Sequence, residues 1–234
     1  MTGVLVGVGV GPGDPELVTL KALRELRDAD RVFVPDGGRA GEVVAVHVGE
    51  ERIERLEFGM GEADVRSARW DAAGEAIAAV VHAGGTAAFA TIGDPNLYST
   101  FTYVAHTVRA RWPGVAVRTV PGITAMQDLA ARTGTVLAEG SEPLSLIPYV
   151  AGGPALADAL ARGDTVVVYK GGRHLPQVVD ELRAAGRLAD AVYGEELGRD
   201  GELLAPVAEL GGRAPYFSTV IVPASRAGER GEKL

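Results

Sequence analysis

The feature that most constrains this chain is a short apolar run, Val4-Leu5-Val6, that leads through a glycine-rich loop into an amphipathic segment and then into a second apolar run at 31–35. The β-branched residues favour a strand, and Asp14 followed by Pro15 is typical of a helix start. Leucines then recur at about helical spacing, at Leu17, Leu20, Leu23 and Leu26. Strand, helix and strand in this order predict a βαβ unit and therefore a mostly parallel α/β sheet.

The same alternation continues to the end of the chain. We predict further strands at 86–92, 115–120, 144–148, 165–169 and 216–222, and helices at about 70–83, 98–111, 124–131 and 175–185. A second series of elements begins near Thr165, and Pro121 breaks the chain after the first series. We therefore predict an N-terminal α/β domain at 1–120 and a C-terminal α/β domain at 121–234.

Composition excludes several classes of protein. The 234 residues contain no cysteine, which rules out disulfides, thiolate metal sites and a cysteine nucleophile. The four histidines are isolated from one another, so we predict no metal site, and the net charge of −8 disfavours nucleic acid as a partner. No targeting segment and no run long enough to span a bilayer is visible, so we expect no membrane association and a cytoplasmic location.

Three loops follow apolar strands and combine glycine with proline: 11–15, 93–95 and 121–124. In open α/β sheets, ligands bind at the carboxyl ends of strands, and glycine lets a ligand approach the main chain closely. The three loops therefore predict a cleft for a small polar metabolite with a nucleoside part. Gly-Asp-Pro is also ordinary turn chemistry, so the residues alone leave both interpretations open.

The first loop is not a dinucleotide fingerprint, because Pro12 or Asp14 stands where the third glycine of G-x-G-x-x-G is needed. The chain also contains no P-loop, no H-E-x-x-H motif and no G-x-S-x-G nucleophile elbow. A cleft poor in nucleophiles and metal ligands suits chemistry in which the cosubstrate is already activated and the protein aligns the reactants.

The run from Val8 to Ala22, with its Gly11-Pro12-Gly13-Asp14-Pro15 centre, resembles the opening signature of the tetrapyrrole methylases. Gly93-Asp94-Pro95 and Val120-Pro121-Gly122-Ile123-Thr124 resemble the second and third signatures, in the expected order. Four further features are similar to the branch whose members methylate precorrin-2 at carbon 20: Trp70, the run 93–101, the run 137–142 and the run 215–219.

This resemblance implies two α/β domains, with a mostly parallel N-terminal sheet and a mixed C-terminal sheet. S-adenosyl-methionine (SAM) is expected as methyl donor in a trough between the domains, commonly in a homodimer. Carried over by position, the expected SAM contacts are Pro12, Gly93, Asp94, Leu97, Thr124, Ala125, Tyr169 and Lys170.

The implied reaction is methylation of the meso carbon 20 of precorrin-2, a tetrapyrrole with many carboxylates. Asp94 is the carboxylate to test first as a catalytic group, although a helix-cap role or a contact with the SAM amine is an equal alternative. Because the protein is acidic, local arginines are expected to bind the substrate carboxylates. The substrate-binding candidates are Tyr98, Arg39, Arg66, Arg69, Arg109 and Arg173.

Several alternatives stay open on the sequence. Within the family, the substrate could be the cobalt-containing form, cobalt-factor II, or another corrin carbon could be methylated, and more distant relatives act on diphthamide precursors or ribosomal RNA. From other classes, a non-catalytic SAM-binding sensor and an NAD-dependent oxidoreductase are the rivals, the latter disfavoured by Pro12 and Asp14.

Overall fold

The computed structural model describes residues 3–58, 63–149, 153–212 and 214–226, with the backbone alone for 63–67. The described residues fall into two compact units that divide between Thr124 and Ala125. That division lies four residues beyond the predicted boundary, so the third loop belongs to the first unit.

The first unit is a five-stranded parallel sheet in the order β3-β2-β4-β1-β5, which confirms the predicted parallel α/β architecture. Its strands are β1 (Val4–Gly9), β2 (Arg31–Pro35), β3 (Ile53–Leu56), β4 (Thr86–Thr91) and β5 (Ala116–Val120). Its helices are α1 (Leu20–Asp28), α2 (Ala40–Val48), α3 (Ala63–His82) and α4 (Phe101–Arg111).

The helices of this unit cover opposite faces of the sheet. Buried residues of α1 and α2 pack with Val6, Val8 and Val34 on one face, while those of α3 and α4 pack with Leu5 and Phe89 on the other. Neighbouring strands β1 and β4 are therefore followed by helices on opposite faces. This is the topological switch point, and in open α/β sheets ligands bind outside the carboxyl ends of the strands at such a point.

The first helix differs from the prediction. Asp14 caps only a 3-10 turn at Pro15–Leu17, and α1 begins afresh at Leu20, where the Thr19 hydroxyl accepts a hydrogen bond from an α1 amide at 3.1 Å. Two capping residues in succession interrupt the helix, because each offers the backbone a local hydrogen-bond partner. Consequently Leu20 is 81% exposed and does not belong to the core.

The first strand also runs further than predicted, through Gly7 to Gly9. A Cβ atom at Gly7 would lie 2.4 Å from the Phe101 ring, so the glycine there allows α4 to pack closely on the sheet. Glycine in this strand serves packing rather than a turn.

The second unit is a five-stranded sheet in the order β6-β7-β10-β8-β9, and its mixed character confirms the prediction. Its strands are β6 (Leu144–Pro148), β7 (Thr165–Tyr169), β8 (Val192–Glu195), β9 (Leu203–Pro206) and β10 (Ser218–Val222), and its helices are α5 (Ala125–Thr133), α6 (Pro154–Ala161) and α7 (Leu175–Ala184). Helices α6 and α7 pack on one face and α5 on the other. Because β10 is antiparallel to both β7 and β8, the carboxyl ends of β7 and β8 meet at the same edge.

Candidate functional site

The three predicted loops meet at the carboxyl edge of the first sheet. The amide of Gly93 donates a hydrogen bond of 2.7 Å to the carbonyl oxygen of Gly11, and the two residues form an isolated antiparallel bridge. The first loop (10–15) and the second loop (92–98) are thus joined beyond the ends of β1 and β4, at the topological switch point.

Glycine contacts bring the third loop (121–124) into the same junction. A Cβ atom at Gly122 would lie 2.1 Å from the Gly93 carbonyl oxygen, and one at Gly9 would lie 2.5 Å from that same oxygen. Neither position tolerates a side chain unless the main chain moves. Gly93 differs, because its φ of +69° favours glycine while its nearest neighbour in the Cβ direction is the Thr124 Cα at 4.0 Å. The side of Gly93 where a side chain would stand is open.

Asp94 uses one carboxylate oxygen within the second loop and the other to connect that loop to the third. Oδ1 accepts a hydrogen bond from the amide of Asn96 at 2.8 Å, and Oδ2 accepts one from the amide of Gly122 at 3.1 Å. A carboxylate that already accepts two main-chain amides is well placed to hold the loops in register. This geometry favours the capping role over the catalytic role among the alternatives that the sequence left open.

The other candidates of the first unit lie in or beside these loops. Pro12 and Thr124 are buried, and Leu97 is half-buried with its amide donating to the Asp94 carbonyl oxygen at 3.3 Å. Tyr98 has a φ of 52° and is 42% exposed, and the partial burial of its ring raises the pKa of its phenol. A non-glycine residue in the left-handed region is uncommon and is often found at functional sites.

Three candidates belong to the second unit. Ala125 is the first residue of α5, and the Tyr169 hydroxyl accepts a hydrogen bond from the amide of Met126 at 3.2 Å. The phenol at the end of β7 therefore caps the first turn of α5. Lys170 follows directly, in the left-handed region with a φ of 61°.

The arginine candidates are not all at one place. Arg39 immediately precedes α2 at the carboxyl edge of the first sheet, and Arg69 lies in the first half of α3, with its Nε 3.5 Å from a carboxylate oxygen of Glu57. Arg109 lies in the last turn of α4, whose C-terminal end approaches the opposite edge, where β5 begins. Its position separates it from the three loops.

Two arginine candidates remain. Arg173 is exposed in a 3-10 turn after β7 of the second unit, and the side chain of Arg66 lies outside the described residues.

Sequence reasoning missed Asn96, which reinforces the junction. Its Nδ2 donates a hydrogen bond of 3.2 Å to the hydroxyl of Thr119 on β5, so the second loop is tied to this strand as well as to the third loop. The signal was the Asp-Pro-Asn order, since Asp accepts the amide two residues later in such turns. The partner on β5 was not visible in the sequence.

Within the described ranges, no group of three or more histidine, aspartate or glutamate side chains is placed to hold a metal ion. None of the helices in that part of the chain is both long and apolar enough to cross a membrane.

A family model described as Tetrapyrrole (Corrin/Porphyrin) Methylases matches residues 4–211. The precorrin-2 C(20)-methyltransferase of a Sinorhizobium species is 35% identical over 94% of this chain and 95% of that protein. The cobalt-precorrin-2 C(20)-methyltransferase of Salmonella typhimurium is 30% identical over 95% of this chain and 97% of that protein.

Two solved structures agree with the fold. A cobalt precorrin-4 methyltransferase superposes with a TM-score of 0.71 at 21% identity, covering 94% of both chains. The uroporphyrin III C-methyl transferase from Thermus thermophilus gives 0.69 at 24% identity, covering 94% of this chain and 92% of that one. At these identities the likeness shows the fold alone.

Proposed function

We propose that this chain, which belongs to the tetrapyrrole (corrin/porphyrin) methylase family, transfers a methyl group from SAM to carbon 20 of precorrin-2. It is a methyltransferase, and two relatives named for the carbon-20 reaction match it along nearly their whole length. The observation that carries the proposal is the junction of three glycine loops at the switch point of the first sheet.

The residues present at this junction fit SAM. The open side of Gly93 leaves room for a ligand against the main chain, and main-chain amides and carbonyls suit the polar groups of a nucleoside. We assign Pro12, Gly93, Leu97 and Thr124 to contacts with SAM. Ala125, Tyr169 and Lys170 of the second unit remain predicted contacts.

SAM supplies a sulfonium methyl group, so a C–S bond breaks while a C–C bond forms, the thioether S-adenosyl-homocysteine leaves, and carbon 20 loses a proton. The work of the chain is to align the two reacting atoms at about 3–3.5 Å. Asp94 is assigned to hold the loops rather than to remove the proton, because both of its oxygens accept main-chain amides. A strong base is not required, since the conjugated macrocycle delocalises the transient charge.

The substrate carboxylates require cations at the same edge. Arg39 and Arg69 are assigned to this role by their position at the carboxyl edge of the first sheet, and Tyr98 is assigned to the macrocycle by its exposed ring. The cobalt-containing substrate is the second candidate, because the relative from Salmonella typhimurium is named for it.

Two experiments test the proposal. Methyl transfer from ¹³C-methyl SAM to precorrin-2 should add one labelled methyl group, which NMR should locate at the meso carbon. A parallel reaction with the cobalt-containing form separates the two candidate substrates. No transfer to either by the folded protein would refute the assigned reaction.

Calorimetric titration tests the SAM site. Gly93→Trp should abolish binding of SAM and of S-adenosyl-homocysteine, whereas Gly114→Trp, in an exposed turn with no atom within 4 Å of the Cβ position, should leave binding unchanged. Intact binding by folded Gly93→Trp would mean that SAM occupies another loop.

A homodimer and a cytoplasmic location are further parts of the proposal, supported by the family resemblance. Sedimentation analysis at several protein concentrations tests the dimer, and a monomer throughout would contradict it.

A further inference from the structure

The first loop is joined to other parts of the first unit at both of its ends. At its start, the carbonyl oxygen of Gly11 accepts the amide of Gly93 at 2.7 Å. At its end, Nε2 of His47 on α2 lies 3.0 Å from the carbonyl oxygen of Pro15. Because a carbonyl oxygen can only accept, the ring nitrogen is the donor of this hydrogen bond. Residues 12–14 therefore lie between two anchors that belong to other segments of the chain.

The helix that carries His47 is fixed in the core of the first unit. Val43 and Val44 of α2 are buried and belong to the same core cluster as Val8 of β1. His47 follows these two valines by four and three residues, so it lies on their face of the helix. The residue is itself half-buried. Its hydrogen bond thus connects the end of the first loop to a packed helix.

The turn that contains the Pro15 carbonyl oxygen is otherwise held by local hydrogen bonds. The Asp14 carboxylate accepts the Glu16 amide at 2.8 Å, and the Pro15 carbonyl oxygen accepts the Val18 amide at 3.3 Å. Bonds between residues two or three positions apart fix the shape of a turn but not its place in the unit. The bond from His47 spans 32 positions along the chain, so it does fix that place.

We propose that His47 is a positioning residue for SAM: its hydrogen bond to the Pro15 carbonyl oxygen sets where the end of the first loop lies, and hence where Pro12 meets SAM. The inference rests on the proposed function, since it deepens the assignment of Pro12 to SAM. The role of His47 concerns the place of a binding loop and not proton transfer. Its loss should therefore weaken SAM binding more than it slows the methyl transfer that follows binding.

Two amide variants separate the hydrogen bond from the other properties of the ring. Glutamine extends its amide nitrogen about as far from the main chain as histidine extends Nε2, whereas asparagine, with one methylene fewer, ends near the position of Nδ1. We expect His47→Asn to raise the Kd for SAM about tenfold, which is the order of effect for one lost hydrogen bond. The kcat should fall by less than about threefold. His47→Gln should keep both constants close to those of the wild type.

A third variant removes the donor without adding a polar group. His47→Leu keeps an apolar side chain on the half-buried face of α2, and it should raise the Kd for SAM as His47→Asn does. If His47→Leu or His47→Asn is folded and binds SAM as tightly as the wild type, the positioning role is wrong.

Hydrogen–deuterium exchange of the protein without SAM measures the loop directly. In His47→Asn, the peptide that covers residues 11–18 should exchange faster than in the wild type, whereas His47→Gln should protect it fully. A peptide from the buried strand β4 (Thr86–Thr91) of the same unit should exchange equally in all three proteins. Faster exchange in both peptides would indicate a general loss of stability, and unchanged exchange at 11–18 would show that His47 does not hold the loop. Either result would overturn the proposal.

His106→Asn is the matched control. His106 is an exposed histidine on α4, which packs on the opposite face of the same sheet, so this variant should change neither the Kd for SAM nor kcat. If SAM binds to the wild type and His47→Asn and His47→Gln weaken binding equally, the positioning role is wrong while the proposed function stands. If the wild-type protein does not bind SAM, the proposed function has failed, and the role of His47 toward SAM fails with it.

Discussion

Replacing Asp94 with asparagine tests whether this carboxylate holds the loops or performs chemistry. The side chain keeps its size, but one accepting oxygen becomes an NH₂ group that faces a main-chain N–H, either of Asn96 or of Gly122. Two donors then face each other, and the loop junction loses one charge-assisted hydrogen bond. A hydrogen bond to a charged group contributes about 1.5–3 kcal/mol, so for a half-buried carboxylate we expect a loss of about 2 kcal/mol in the free energy of unfolding.

The chain offers a matched control in the other Gly-Asp-Pro segment. Asp14 Oδ1 accepts the amide of Glu16 at 2.8 Å, in the same local turn that Asp94 forms with Asn96. Asparagine at position 14 can keep its oxygen on that amide, because the described contacts of Asp14 include no hydrogen bond from another loop to its second carboxylate oxygen. We expect Asp14→Asn to change the free energy of unfolding by less than about 0.5 kcal/mol.

Urea unfolding followed by tryptophan fluorescence measures this difference, since both tryptophans, Trp70 and Trp112, belong to the first unit. The Kd for SAM should rise about tenfold in Asp94→Asn, which corresponds to about 1.4 kcal/mol spent on restoring the loop geometry. If Asp94→Asn instead keeps the stability and the Kd of the wild type while kcat falls on the order of 100-fold, Asp94 is a proton acceptor and the capping argument is wrong.

Three further predictions follow from the described contacts. Gly122→Ala should lower the free energy of unfolding of the first unit by more than about 2 kcal/mol in urea titrations, because its Cβ atom would lie 2.1 Å from a carbonyl oxygen. Gly114→Ala, with no atom within 4 Å of its Cβ position, should leave this free energy unchanged, and equal stability of the two variants would contradict the tight loop junction. Arg39→Ala should raise the KM for precorrin-2 in steady-state kinetics and leave the Kd for SAM unchanged, while Arg109→Ala, at the opposite edge, should change neither constant. A raised KM for Arg109→Ala and an unchanged KM for Arg39→Ala would disprove the assignment of Arg39 to the substrate. Burial and a hydrogen bond to a carboxylate on α7 raise the pKa of Tyr149 to about 12. The folded state therefore holds this proton more tightly than the unfolded chain, and the resulting stability is lost between about pH 10 and 12. Tyr149→Phe should flatten the dependence of the unfolding midpoint on pH in this window, and an unchanged slope would refute the assignment.

Much of the fold follows from local patterns that the sequence contains. Short apolar runs such as 31–35, 144–148 and 165–169 correspond to strands with those same bounds. Elements with weak local signals were missed, namely α2, β3, α6, β8 and β9. The strands among them are only four residues long, so pairing with neighbours rather than local pattern determines them.

For the site, the sequence by itself determined which loops carry glycine and where Gly-Asp-Pro recurs, because backbone freedom and turn chemistry are local properties of a few residues. Only the tertiary structure decided that the two Gly-Asp-Pro segments differ: Asp94 reaches the Gly122 amide, whereas Asp14 caps its own turn. It also decided that Gly9 and Gly122 are needed for close contact and Gly93 for its backbone angle. The physical reason is separation along the chain. Asp94 and Gly122 are 28 positions apart, so their hydrogen bond depends on where the sheet brings two strand ends together. No local sequence pattern records how close those ends lie in space.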